Sequence, residues 1–434
     1  MSAVRFDPAG PVRGQYVPPA DKSISHRAAL FGAMTDQPVS IHNYLKSADT
    51  TSTLEALLSL GAGVDETGGQ LTVRGVGLHG ALEATGGVID VGNSGTLLRL
   101  LPGWLAGQAG GRWALDGDES IRRRPVDRVV EPLSRMGAAV QAREDRFTPL
   151  VVSGTDLKGI HYEMPVPSAQ VKSCVLIAGM LASGQTSITE GSMSRDHTER
   201  MMRHARVPFE RDGMTATVTQ VDELELEEIT VPGDPSSAAF LAAAACLVPQ
   251  SKLLIEDVGL NWTRTGFFRI AQRMGAVIVG ELEEPGTFSE EEPVGELDVA
   301  YSPLEATEVL PEEVPLAIDE LTLVALLGAF AEGDTVVRGA EELRHKESDR
   351  IAATVTGLRG LGADIEELDD GFVVHGTGEL RGGTIDSLGD HRLAMLGAVA
   401  GLASREGVEV VNMEAAAVSY PGFVDDLTAL IAAP

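Results

Sequence analysis

A pattern of about 70 residues, too long for a solenoid turn and suited to a repeated α/β unit, recurs six times along the 434-residue chain. Each copy opens on a small or acidic residue, runs into an Ala/Leu-rich amphipathic helix and continues past a Gly turn as a β-branched strand. The openings are Lys22-Ser23, Asn93-Ser94, Ser168-Ala169-Gln170, Asp234-Pro235-Ser236-Ser237, Ile318-Asp319-Glu320 and Gly389-Asp390-His391. After the first helix, a strand such as 39–43 or 187–190 leads to a second helix that ends in Gly-Ala, as at Gly61-Ala62, Gly137-Ala138, Gly275-Ala276 and Gly362-Ala363. Glycine there fits a left-handed helix C-cap. The third copy lacks the pair and runs into Val207-Pro208-Phe209, which makes that copy degenerate or sets its boundary elsewhere.

Three copies precede Val231-Pro232-Gly233 and three follow it. We therefore expect a domain junction there, a return crossover near Val17-Pro18-Pro19-Ala20, and two pseudo-threefold α/β domains covering 20–231 and 1–19 with 232–434. A chain of 434 residues also exceeds what a single core ordinarily supports. The Glu-, Pro- and Gly-rich stretch from Glu281 to Val294 reads as a surface excursion of the fourth copy.

The formal charge of −30, from 34 basic and 64 acidic residues, opposes nonspecific binding to nucleic acid or anionic membranes. The N-terminal stretch to Gly14 carries Arg5, Asp7 and Arg13 without a long apolar run, and we expect a cytoplasmic protein. Cys174 and Cys246 sit in apolar helix-like runs and read as buried core thiols, not a disulfide or a metal site. No histidine pair has ligand spacing and no Gly-x-x-x-x-Gly-Lys-Ser/Thr loop is present, so neither metal nor ATP is implied.

Against this acidic background, clustered cations carry information. In Asp21-Lys22-Ser23-Ile24-Ser25-His26-Arg27, Ser23 and Arg27 are one helical turn apart at a helix start. They form either an anion cradle with free backbone N–H groups or a Ser N-cap beside a solvated Arg. Gly92-Asn93-Ser94-Gly95-Thr96 precedes Arg99, and Ser168-Ala169-Gln170 precedes Lys172, which repeats the order of polar cap then cation. In Arg122-Arg123-Arg124-Pro125, proline disfavours helix before it and predicts an extended segment that aims a guanidinium, or else a solvated basic run.

Lys346 and Arg350 stand at i and i+4, where like charges repel on one helix face unless an anion sits between them. The alternative is a helix salt-bridged through Glu347 and Asp349. Asp319 stands at the threshold of an apolar helix as an N-cap or a general base, and Arg392 opens the last helix.

In order, the segments Asp21–Arg27, Gly92–Arg99, Asp118–Pro125, Ser168–Ser173, Val231–Phe240, Arg344–Arg350 and Gly389–Met395 resemble the 5-enolpyruvylshikimate-3-phosphate synthase family, 3-phosphoshikimate 1-carboxyvinyltransferases, across nearly the whole chain. The resemblance implies a two-domain inverse α/β barrel-like enolpyruvyl transferase fold, each domain of three βαβαββ units, with the active site in the interdomain cleft. It implies a monomeric, cofactor-free transferase of the shikimate pathway and a glyphosate target. Such an enzyme moves the enolpyruvyl group of phosphoenolpyruvate to the 5-hydroxyl of shikimate 3-phosphate through a tetrahedral intermediate.

By the same resemblance, Lys22, Ser23, Arg27, Ser168, Ala169, Gln170, Arg195, Asp319 and Lys346 hold shikimate 3-phosphate. Lys22, Gly95, Arg124, Gln170, Arg350 and Arg392 surround phosphoenolpyruvate, and Asp319, Glu347 and Lys22 move protons. Ala169 stands where some members place a serine, with Arg195 supplying the phosphate contact in its stead. The related UDP-N-acetylglucosamine enolpyruvyl transferases use a mobile-loop cysteine, which neither cysteine here matches. A noncatalytic phosphate-binding protein on the same scaffold would not need Asp319, Glu347 and Lys22 together.

Overall fold

The computed structural model describes residues 3–83 and 87–432. Positions 84–86 of the expected first domain, and 1–2 and 433–434 of the expected second, lie outside the described residues. The chain forms two compact units, one of Ala20–Val231 with Phe288–Glu292, the other of the remaining segments.

Each copy of the repeat in the first unit builds one four-stranded sheet. In the second copy, Val88–Asp90 runs parallel to Arg112–Asp116, and Phe147–Ser153 and Ala139–Arg143 continue the sheet antiparallel. A parallel pair needs a crossover, and helix Gly95–Ala106 supplies it. The corresponding helix of the third copy, Ala169–Leu181, is buried at every residue from Val171 onward, which explains why its composition is apolar all round instead of striped. The first sheet is completed from the far end of the unit, where Glu228–Thr230 pairs in parallel with Pro38–His42.

The third copy is complete, contrary to its degenerate sequence. His161–Glu163, Gln185–Thr189, Thr215–Thr219 and Phe209–Asp212 form a sheet in the common order. Its second helix, His197–His204, ends as the others do. Val207 N–H donates to the Met202 carbonyl at 2.9 Å, as Ala62 N–H does to Leu57 at 3.0 Å, and Arg206 takes the left-handed position with φ of 59° where Gly61 has 99°. The turn geometry was kept while the glycine that eases it was not.

In the second unit, Arg13–Tyr16 pairs in parallel with Lys252–Gly259, and Ala3–Phe6 closes the last sheet against Val408–Val411. N-terminal strands therefore complete the fourth and sixth copies. Helix Pro235–Leu247 is buried along its whole length, and helices Leu321–Phe330 and His391–Ala403 are nearly so.

The excursion expected on the surface of the fourth copy lies there, with no residue of 281–294 buried, and it also makes contacts that the sequence does not announce. Its segment Phe288–Glu292 packs into the first unit. The Phe288 ring lies 4.8 Å from the Arg203 guanidinium and 5.6 Å from the Phe209 ring. Arg200 Nη1 donates to Ser289 Oγ at 2.6 Å, and His197 Nδ1 meets Glu292 Oε1 at 2.6 Å. Among the described residues no helix is long and apolar enough to cross a membrane.

Candidate active site

In the first unit three helices begin with side-chain caps: Asp21 accepts from the Ile24 amide, Ser94 from Leu97 and Ser168 from Val171. Asp21, not Ser23, thus caps the first helix, and the remaining first-turn N–H groups keep the partial positive charge of a helix start. Two of these starts are tied together, because Gln170 Nε2 donates to Thr96 Oγ1 at 3.1 Å and accepts at Oε1 from Arg99 Nη1 at 3.1 Å. A Cβ placed on Gly95 would stand 2.8 Å from Arg124 Nη1 and 2.9 Å from Arg99 Nη1. Two guanidinium groups therefore approach the start of that helix, and the missing side chain lets them.

Arg27 is buried, not solvated. Its guanidinium donates to the Ser23 carbonyl at 2.9 Å, to Thr198 Oγ1 at 2.7 Å and to Ser173 Oγ at 2.9 Å. All three acceptors are neutral, and among the described residues no carboxylate pairs with it. Burial lowers its pKa to about 10, with Glu199 and Asp21 opposing the drop and the nearby Arg195 adding to it. Its direct partners are neutral oxygens and the carboxylates of Glu199, Asp21 and Glu292 act on it only through space, so an anion in direct contact would still improve its burial.

Ala169 opens its helix and its carbonyl accepts from Ser173 Oγ at 2.6 Å, so the same start positions an Arg27 partner. Lys22 Nζ donates to Asp49 Oδ2 at 3.0 Å. On the same helix, burial pushes the His26 imidazole well below its ordinary pKa, with Lys22 and Arg27 adding to the effect, and its Nδ1 meets Thr53 Oγ1 at 2.6 Å.

Two sequence expectations for this unit are corrected. Lys172 does not face an anion site: it is fully buried, with Nζ 2.6 Å from Glu190 and 2.8 Å from Glu199. Cap spacing alone does not tell which side of a helix a cation occupies. The Arg122–Arg124 run is not extended, since Ile121–Arg123 form a 3₁₀ turn and Arg124 alone adopts the extended conformation that Pro125 imposes. Arg122 pairs with Asp116 at the surface, whereas Arg124 is buried and donates to Asn93 Oδ1 at 3.0 Å and Ser120 Oγ at 3.2 Å.

The second unit gathers a second cluster around one carboxylate. Asp319 Oδ1 lies 3.1 Å from Arg350 Nη1, 3.6 Å from Lys346 Nζ and 3.8 Å from Arg392 Nε. Asp319 is not the cap of the following helix; that position belongs to Glu320, whose side chain makes no cap bond. Arg392 Nη1 donates to the Asp319 carbonyl at 3.0 Å and to Glu320 Oε1 at 3.2 Å, and Ser236 Oγ also donates to Glu320.

Lys346 and Arg350 do not share a helix face. Helix Arg350–Gly360 begins at Arg350 under an Asp349 cap, and Lys346 ends the preceding 3₁₀ turn Glu341–His345. Their charges converge on Asp319 through the intervening loop. Arg350 also reaches Glu347 Oε2 at 2.6 Å and Asp390 Oδ2 at 2.8 Å, while Asp349 pairs with Arg344 at 2.7 Å. Burial alone would lower the Arg350 pKa, but Asp390, Glu347 and Asp319 outweigh it and raise it. Burial holds Lys346 below the ordinary lysine value, with Arg350 adding to the drop and Asp319 and Glu347 opposing it.

Residues that the sequence reading did not single out for these clusters are Asp49, Ser173, Thr198, Ser236, Glu320 and Asp390. Four of them lie within segments already marked as motifs or repeat openings, and Thr198 follows Arg195 by three positions. Asp49 lies on a separate helix and carries no local signal. Among the described residues no group of three or more His, Cys, Asp and Glu side chains is arranged to hold a metal ion, and both cysteines are free and buried.

Two capped, cation-rich clusters on repeated α/β units are a specific combination, and comparison with known proteins gives it a family. The sequence model described as EPSP synthase (3-phosphoshikimate 1-carboxyvinyltransferase) matches residues 6–427. The 3-phosphoshikimate 1-carboxyvinyltransferase of Geobacter sulfurreducens is 46% identical over 426 residues, covering 98% of each chain. That of Brevibacillus brevis is 44% identical over 424 residues, covering 97% of this chain and 98% of its own. The solved structure of EPSP synthase from Acinetobacter baumannii superposes with a TM-score of 0.86 at 36% identity, covering 99% of this chain and 98% of that one. The enolpyruvyl transferase NikO from Streptomyces tendae shares the fold, with a TM-score of 0.76 at 19% identity over 98% of this chain and 96% of that one. With its seven motifs in order, six α/β copies and full-length relatives at this identity, the chain belongs to the EPSP synthase (3-phosphoshikimate 1-carboxyvinyltransferase) family.

Proposed function

We propose that the chain transfers the enolpyruvyl group of phosphoenolpyruvate to the 5-hydroxyl of shikimate 3-phosphate, releasing inorganic phosphate. The observation that carries this reading is Arg27, a buried cation in the second turn of helix Lys22–Ala33 whose hydrogen bonds all go to neutral oxygens and which feels a second arginine nearby. A phosphate dianion there supplies a countercharge in direct contact and gives the buried guanidinium a charge-assisted partner.

In this reading Lys22, Ser23, Arg27, Ser168, Ala169, Gln170, Arg195, Asp319 and Lys346 hold the acceptor. Gly95, Arg124, Gln170 and Lys22, with Arg350 and Arg392, receive phosphoenolpyruvate. Asp319 accepts the proton of the 5-hydroxyl as its oxygen adds to C2, and Glu347 or Lys22 delivers a proton to C3, giving a tetrahedral adduct. Breaking the bond from C2 to the phosphate oxygen and returning the C3 proton regenerates the double bond as an enol ether. Both substrates are polyanions, so the arginines and lysines offset their repulsion and stabilise the departing phosphate. The enzyme acts as a cytoplasmic monomer in this reading.

The test is phosphate release from phosphoenolpyruvate with a single acceptor supplied. Release with shikimate 3-phosphate alone is expected. Release with UDP-N-acetylglucosamine alone, or no release with either acceptor in a folded sample, overturns the assignment.

A further inference from the structure

Three charged side chains are sealed in the core of the first unit, with a fourth, the partly exposed Arg211, at their edge. Lys172 lies 2.6 Å from Glu190 and 2.8 Å from Glu199, and Arg211 reaches Glu199 at 3.3 Å and Glu190 at 3.7 Å. Lys172, Glu190 and Glu199 are at most 1% exposed at their side chains. Such a group is a poor source of stability, because apolar residues of the same volume often replace buried ion pairs without loss. Its geometry points to another task.

The group grips one residue on every polar atom it has. Ser194 donates its amide to Glu190 Oε2 at 3.2 Å, donates its hydroxyl to the same oxygen, and accepts at its carbonyl from Lys172 Nζ at 3.3 Å. The next residue is the half-buried Arg195, and Thr198, which receives Arg27 Nε at 2.7 Å, follows three positions later. The loop that carries Arg195 is thus pinned at the residue before it. Glu199, a member of the buried group, pins the helix that follows.

We propose that Lys172 and Glu190 are positioning residues for Arg195: through Ser194 they set the backbone from which its guanidinium reaches the phosphate of the acceptor. This rests on the reading of Arg195 as an acceptor contact and adds the machinery that aims it. A guanidinium on a long side chain is effective against a phosphate only when its root is fixed, since a displacement of about 1 Å costs up to about a hundredfold in a reaction that depends on orientation. Lys172 and Glu190 supply that fixity because their polar atoms are taken up by each other, Glu199 and Ser194, with no solvent to offer other partners.

The experiment is a double-mutant cycle in the full chain, with Glu190→Gln, Arg195→Ala and their combination, read as KM for shikimate 3-phosphate, KM for phosphoenolpyruvate and kcat. Glu190→Gln is expected to raise the acceptor KM about tenfold and leave the phosphoenolpyruvate KM within about twofold. In the Arg195→Ala background it is expected to add less than about twofold, because nothing remains to be aimed. If Arg195→Ala alone leaves the acceptor KM unchanged, the Arg195 reading itself fails. If Arg195→Ala raises that KM but Glu190→Gln is inert, or multiplies with it in full, Arg195 stands as a contact and the positioning role is overturned. Ser194→Ala, which loses one grip and keeps every ion pair, gives the same reading should Glu190→Gln fail to fold.

Discussion

Replacing Arg27 by Met separates binding from stability because of how the guanidinium is held. The substitution keeps most of the stem volume and removes the charge. Three hydrogen bonds disappear, to Ser23, Thr198 and Ser173, each worth about 1.5 to 3 kcal/mol as a bond to a charged group. Against this stands relief from burying a cation without a carboxylate, a desolvation cost of several kcal/mol. The two nearly offset, and the folded state is expected to change by less than about 2 kcal/mol. Acceptor binding has no such offset: losing one charge-assisted contact to the phosphate costs about 3 to 4 kcal/mol, or about 140- to 700-fold in kcat/KM for shikimate 3-phosphate. Steady-state phosphate release over a titration of acceptor measures the second quantity, and urea denaturation of the same sample measures the first. A folded Arg27→Met protein whose kcat/KM for shikimate 3-phosphate stays within threefold of the parent would refute the argument that Arg27 waits for an anion.

Arg350 is held in the opposite way, by Glu347, Asp390 and Asp319, so Arg350→Met strands carboxylates and is expected to cost about 3 to 5 kcal/mol of stability; a loss under about 1 kcal/mol by urea denaturation contradicts this. Burial lowers the Lys346 pKa, and raising the pH therefore removes its charge earlier than for an ordinary lysine. The acceptor KM should climb on the alkaline side, Lys346→Arg should move that limb upward because a guanidinium stays charged, and an unmoved limb excludes Lys346 as its origin. Arg206 occupies a left-handed position with φ of 59°, and its pairing with Glu290 is exposed and adds little. Arg206→Gly should stabilise by about 1 kcal/mol and raise Tm by about 2 to 4 °C; an unchanged or lower Tm shows that the turn is unstrained.

The legible part of the molecule was written in local chemistry. Caps at Ser94, Ser168, Asp234 and Asp390 announce helix starts because a short polar side chain before an apolar run satisfies orphan amides wherever it occurs, whereas at the first helix Asp21 takes the place expected of Ser23. The Gly-Ala pairs announce helix ends for the same reason, and Arg206 shows the limit: the third copy was misread because its backbone makes the turn without the residue that usually signals it. The fate of individual charges was less legible. Lys172 and Arg27 both follow a helix start by a few residues, yet one is enclosed by Glu190 and Glu199 and the other by Ser173 and Thr198.

By itself, then, the sequence determined the repeated α/β unit, its six copies, the capped helix starts and the family, all of which follow from periodicity, capping and ordered motifs along the chain. Only the tertiary structure decided which cations lack a carboxylate, that Lys346 and Arg350 meet at Asp319 across a loop, that Asp49 pairs with Lys22, and that Phe288–Glu292 pack beside His197 and Arg200. The physical reason is that caps and turns are satisfied within a few residues of themselves. The cost of a buried charge depends instead on what distant segments bring within about 4 Å of it.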